Sequence, residues 1–154
     1  MITIRNYRVE EAKVLWDIQF YTIRNINIRD YSQAQVEAWA PEHLDFSVWE
    51  KRMKGLSPFV AEIDGVVVGY TDLQANGLID HFFCHHEYQG KGVGKALMNH
   101  VFKVGSLQGI KRYFSEVSIT ARPFYEHFGF KVVQVQEVEI RGQKLRNFVM
   151  EKYS

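Results

Sequence analysis

Residues 85–101, HHEYQGKGVGKALMNHV, set three alternating glycines among lysines immediately ahead of an amphipathic pattern. Glycine costs roughly 1 kcal/mol against alanine inside a helix, so Gly90, Gly92 and Gly94 are poor choices for an ordinary helix start. The stretch asks for bare backbone. LIDHFFCHH (78–86) before it reads as a strand, and Val93, Leu97, Val101 and Val104 after it mark one helix face. Free amides at a helix start point one way and carry partial positive charge. They suit a phosphate, and glycine lets that phosphate reach the backbone with no Cβ between. Lys91 and Lys95 add charge nearby. A plain flexible turn is the other reading.

Two phosphate loops fail the test of spacing. A Walker loop needs four residues between its glycines and then Gly-Lys-Ser/Thr. Here three residues separate Gly90 from Gly94, and Ala96 follows Lys95. The dinucleotide fingerprint needs a glycine where Lys95 stands.

Working outward, ITIRNY (2–7) reads as a short edge strand. In residues 9–26, Ala12, Leu15, Trp16, Gln19, Phe20 and Ile23 follow helical spacing. SQAQVEAWAP (32–41) predicts a second helix capped by Ser32 and closed by Pro41, and DFSVWEKRMKGL adds a further turn or two. SPFVAEIDGVVVGYTDL is a hairpin turning at Asp64-Gly65. RYFSEVS is a strand, ITARPFYEHF a helix stopped by Gly129, and the last two strands turn at Arg141-Gly142. The order predicts an α/β fold with a mixed sheet.

A chain of 154 residues suits one domain over residues 1–154. The net charge of +1 gives no electrostatic case for nucleic acid or a membrane surface. No apolar run approaches the roughly 18 residues of a spanning helix, and MITIRNYRVEE lacks the apolar segment of a signal peptide. One cysteine, Cys84, forbids an internal disulfide. These point to a cytoplasmic monomer or homodimer. HFFCHH gives no metal site. His81 and His85 lie about 13 Å apart along a strand, and Cys84 with His86 supplies only two ligands. Cys84 reads as a small buried residue.

Gln89-Gly90-Lys91-Gly92-Val93-Gly94, followed by KALM, resembles the pyrophosphate loop of the Gcn5-related N-acetyltransferases. SITARPFYEHFGF (118–130) resembles the same family's later motif, in which Ala121 and the Phe124-Tyr125 pair precede Gly129-Phe130. Together with the element order, the resemblance runs from Ile2 to Lys152. YSQAQVEAWAP narrows it towards a bacterial, YafP-like subgroup.

The resemblance implies a mostly antiparallel, twisted sheet of about seven strands flanked by helices, with acetyl-CoA as cosubstrate and no metal. It places the pyrophosphate on the amides from Gln89 to Gly94, with Lys95 beside them. The pantetheine arm lies along strand 78–86 at Phe82, Phe83 and Cys84, near Phe124. An amine acceptor, small molecule or peptide, attacks the thioester directly in a ternary complex. Asp80 falls where members carry an acid acting through water as base. Tyr125 falls at the acid tyrosine that protonates the leaving thiolate. The oxyanion donor is an amide near Phe83 or Cys84, where Cys84-His85-His86 departs from the family's Val-x-Pro. Ser118 replaces a cofactor-contacting asparagine, and a serine there also suits a helix cap.

His81 titrates near neutrality without a shift, and period 2 sets it on the face opposite Asp80. The acceptor groove falls among Trp16, Phe20, Tyr21, Tyr31, Trp39, Trp49, Arg24 and Arg29, most of which are core at helical spacing. The alternative to an enzyme is a non-catalytic acyl-CoA-binding sensor module that keeps the loop without the chemistry.

Overall fold

The computed structural model describes residues 1–154. Strand β1 (Ile2–Asn6) pairs antiparallel with β2 (Phe59–Ile63), which returns through Asp64-Gly65 as β3 (Val66–Thr71). β3 pairs with a three-residue strand, β4 (Phe82–Cys84). A second antiparallel sheet has the order β5 (Arg112–Ser118), β7 (Gln143–Tyr153), β6 (Lys131–Ile140). All seven strands belong to these two sheets.

One parallel bridge, Leu78 to Phe114, joins the sheets. It is held by Ile79 N–H to Phe114 O (2.9 Å) and Phe114 N–H to Gly77 O (3.1 Å). The strand expected over 78–86 is therefore two pieces. Residues 77–79 bond to β5, residues 82–84 bond to β3, and the chain changes partner at Asp80 and His81. Both of those amides donate to the buried Asp72 carboxylate, at 3.1 and 2.6 Å. A side chain takes the bonds a neighbouring strand would have taken, so the ladder breaks there.

Helix α1 (Ala12–Asn25) buries Ala12, Leu15, Ile18, Gln19, Thr22 and Ile23. α2 (Gln33–Trp39) opens with a capping box. Ser32 Oγ accepts from Gln35 N, and the Gln35 side chain accepts from Ser32 N. At its other end Arg141 donates to Ala38 O, and Arg24 donates twice to Ala40 O. These bonds satisfy carbonyls that a helix end leaves free. α3 (Phe46–Leu56) is longer than the turn or two expected. Asp45 caps its first turn, and Trp49 and Met53 sink into the core, the Trp49 indole donating to Ala12 O at 2.7 Å.

α4 (Val93–Leu107) ties the sheets together. Val93 and Leu97 pack with Ala61 and Val68 of the first sheet. Met98 and Val101 pack with Tyr113, Phe148 and Met150 of the second. Full burial of such side chains is worth roughly 1.5–3 kcal/mol each, so one helix face fixes both halves. α5 (Arg122–His127) is shorter than expected, because residues 119–121 form the turn leading into it.

Candidate active site

Beyond the Leu78–Phe114 bridge, β4 and β5 diverge. Ser115 Oγ reaches across to Ile79 O at 2.7 Å, the last bond spanning the split. The divergence opens a cavity of about 1260 Å³. The α4 loop and α5 wall one side. α1, α2, α3 and the β6–β7 hairpin wall the other.

No backbone amide from Gln89 through Lys95 has an acceptor in the protein; the first bonded amide of α4 is Ala96, to Gly92 O at 3.0 Å. Gly90 and Gly92 have φ of 73° and 84°. They hold the left-handed backbone that turns these amides outward. Gly94 is required for another reason, since a Cβ there would meet Phe124 Cε1 at 2.8 Å. The glycines are thus two turn positions and one packing position. Gln89 folds its side chain back, Nε2 donating to Cys84 O at 3.0 Å and His85 O at 3.3 Å, and leaves its amide free. Gly90, Gly92, Val93, Gly94 and Lys95 line the cavity, whereas Lys91 is exposed and stands off the wall.

Phe82, Phe83 and Cys84 line the cavity from β4. His85 N–H bonds to Val68 O of β3, so alternation turns the Phe83 amide towards β3 as well. The cleft edge is left with the amides of Phe82 and Cys84. Of the two amides named from sequence, only Cys84's faces the cleft. Burial pushes the Cys84 thiol up to about 12, which removes it as a nucleophile at neutral pH.

Tyr125 is buried, at 3 % exposure, and its ring meets Phe82 and Phe124. Burial pushes its phenol well above the ordinary tyrosine range, with Ser115 pulling the other way. Ser118 holds the turn ahead of α5 and does not cap the helix, whose N-cap is Ala121: its Oγ accepts from Ala121 N at 3.0 Å and from Asn27 Nδ2 at 3.4 Å.

Asp80 and His81 do not divide between two faces as period 2 predicts. The chain is out of the ladder there, and both reach Arg52 of α3. Arg52 Nη2 lies 3.2 Å from Asp80 Oδ2, and Arg52 Nε donates to His81 Nε2 at 3.3 Å. That contact fixes the His81 proton on Nδ1, which donates to the Tyr70 hydroxyl at 2.9 Å. Tyr70 in turn faces Gln19 Oε1 at 3.5 Å. Burial lowers the His81 pKa to about 4, so the imidazole is neutral. Burial raises Asp72 to about 6, although bonds from His81, Gln74 and Asp80 oppose the shift.

Asp72, Tyr70 and Arg52 were not singled out in the sequence. An acid closing a strand three residues before a turn is the one local signal for Asp72. Among the aromatics, Trp49 is core. The Tyr31 hydroxyl is fully engaged, donating to Arg146 O and accepting from Ile119 N. Trp16, Tyr31, Trp39 and Trp49 stand on the cavity wall; Phe20, Tyr21, Arg24 and Arg29 do not. No helix is long and apolar enough to cross a membrane.

Residues 27–153 match the family model described as an acetyltransferase (GNAT) domain. An uncharacterised N-acetyltransferase of Escherichia coli strain K12, YafP, is 34 % identical over 149 residues, 97 % of this chain and 94 % of that protein. A Gcn5-related N-acetyltransferase from Rhodopseudomonas palustris superposes with a TM-score of 0.94 at 30 % identity, over 99 % of this chain and 95 % of its own. PaiA N-acetyltransferase from Thermoplasma acidophilum, in complex with coenzyme A, superposes at 0.76 with 20 % identity over 100 % and 99 % of the two chains. The split sheets, the loop of free amides and these relatives agree, and the chain belongs to the Gcn5-related N-acetyltransferase superfamily, on its YafP-like branch.

Proposed function

We propose that the protein moves an acetyl group from acetyl-CoA to a primary amine by direct attack in a ternary complex. The observation that carries this is the run of unpartnered amides from Gln89 to Lys95 at the cavity edge. It offers a diphosphate several donors at a helix start, with Lys95 alongside. The PaiA protein of similar fold is described with coenzyme A, and a putative acetyltransferase of Salmonella typhimurium with acetyl-CoA. The pantetheine arm then runs along β4 past Phe82, Phe83 and Cys84, against Phe124, with Ser118 at the turn into α5.

Three demands of the reaction meet three groups. The Cys84 amide, on the cleft edge, is the oxyanion donor. Tyr125 is the acid. Its phenol stays protonated at neutral pH, and the same burial that raises it also raises the basicity of a thiolate leaving beside it, so the transfer remains nearly matched. Asp80 is the base through water. Arg52 holds Oδ2, and Oδ1 makes no bond within the protein. His81 is excluded because its Nε2 lone pair is occupied by Arg52. A sensor module would need the loop and none of these three.

Acetyl-CoA should raise the melting temperature, adding about 2.7 kcal/mol of stability at 100 times its dissociation constant, and Mg-ATP should not. An equal shift with Mg-ATP would remove the cofactor assignment. Release of free CoA across an amine panel separates the enzyme from the sensor.

A further inference from the structure

Resting on the acetyl-transfer reading, we infer that the acceptor is an amine carrying a second, protonated nitrogen, held by Glu116 and Asn147. Val117, Phe148 and Met150 enter the core beneath α5. Alternation therefore sets Glu116 of β5 and Asn147 of β7 on the opposite face, away from the loop of free amides. Both line the cavity.

The Asn147 carboxamide oxygen is fully buried and has no hydrogen-bond partner. A buried acceptor left unpaired costs its desolvation, so it calls for a donor from the ligand. Asn147 stands opposite Ser118 on one neighbouring strand and Gln136 on the other. Gln136 Nε2 reaches over β7 to Glu116 Oε1 at 2.7 Å, which gathers Glu116 and Asn147 into one patch.

Charge decides the kind of donor. Of the carboxylates on the cavity wall, Asp80 is paired with Arg52, while Glu116 has a neutral amide and no cation. The other basic group on this side, Arg141, is turned to Ala38 O. The patch thus presents one uncompensated negative charge beside one unpaired oxygen. An ammonium or guanidinium satisfies both, a carboxylate neither, and an apolar tail leaves the Asn147 oxygen bare.

The experiment is CoA release at saturating acetyl-CoA, comparing α,ω-diamines of three to six carbons with n-alkyl monoamines of equal length. It is run on the parent, Glu116→Gln and Asn147→Ala. The expected parent preference in kcat/KM is about tenfold or more for the best diamine, the scale of a hydrogen bond to a charged group. The preference should decline as salt rises. In each variant the diamine-to-monoamine ratio should fall towards one. Glu116 is exposed, so Glu116→Gln keeps its fold even if Asn147→Ala loses stability. Equal use of both series, or a preference that survives in Glu116→Gln, overturns the inference and leaves acetyl transfer standing. No CoA release with any amine removes both, and monoamine turnover tells the two failures apart.

Discussion

The His81 amide donates to the Asp72 carboxylate at 2.6 Å, and this bond sits where the chain leaves one sheet for the other. Asp72 and His81 also titrate in opposition. Burial raises Asp72 to about 6, so the folded state binds the extra proton between pH 4 and 6, and stability falls as pH rises through that window. Burial lowers His81 to about 4, so the unfolded state binds the extra proton between pH 4 and 6.5, and stability rises with pH there. Each contribution is on the order of 3 kcal/mol, and in the parent they largely cancel. Chemical denaturation at pH 4 to 7 should show a nearly flat parent. Asp72→Asn should gain stability with pH, and His81→Gln should lose it. Parallel profiles for the two variants would refute the opposition.

Removing the Asp72 side chain is a different matter from neutralising it. Asp72→Ala leaves two amides without their acceptor and should cost roughly 2–4 kcal/mol. It should also raise hydrogen exchange at Asp80 and His81 first. Loss confined to β6 and β7 would contradict the role given to Asp72.

Tyr125→Phe deletes one hydroxyl and keeps the ring against Phe82. The kcat should drop by roughly 10²-fold or more while acetyl-CoA affinity holds. Because burial holds the phenol above its ordinary range, the parent's rate should show no basic limb from Tyr125 below pH 10. A kcat unchanged by the substitution would mean the thiolate departs unprotonated.

Asp80→Asn should lower kcat/KM most at low pH, with the defect shrinking as the acceptor amine deprotonates by itself. Steady-state rates from pH 6 to 10 decide this. A loss of constant size across the range assigns Asp80 a role in holding Arg52 instead.

The loop lysines divide by position. Lys95→Ala should weaken acetyl-CoA binding several-fold at low salt and less at high salt, whereas Lys91→Ala should change little. Gly94→Ala should also weaken binding, because its Cβ displaces Phe124 from the cavity wall. Calorimetric titration of the three variants is the measurement. A larger effect at Lys91 than at Lys95 would misplace the diphosphate.

What was legible in the sequence was what local chemistry determines. The run Gly90, Gly92 and Gly94 announces its bare backbone, Ser32 its cap, and Asp64-Gly65 and Arg141-Gly142 their turns. The Phe82–Cys84 segment was overextended, because an apolar run reads alike whether it keeps one partner strand or trades it for another. α3 was read short, since Trp49 and Met53 reveal their inward face only against α1. Asp72 was unreadable for a stronger reason. Its function depends on meeting amides eight and nine residues later, which no periodicity encodes. Glu116 and Asn147 meet through strand register across β7, again a property of the assembled sheet.

The arginine clamps on α2 set an order of assembly. A seven-residue helix is marginal alone, and its final carbonyls wait on Arg24 from before it and Arg141 from about a hundred residues after it. During synthesis the acceptor-side wall therefore stays open until the last hairpin emerges, well after the α4 loop is complete. A nascent chain would acquire its diphosphate cradle first and its amine selectivity last. Pulse-labelled hydrogen exchange during refolding should show α2 protected together with β6 and β7, and later than α4.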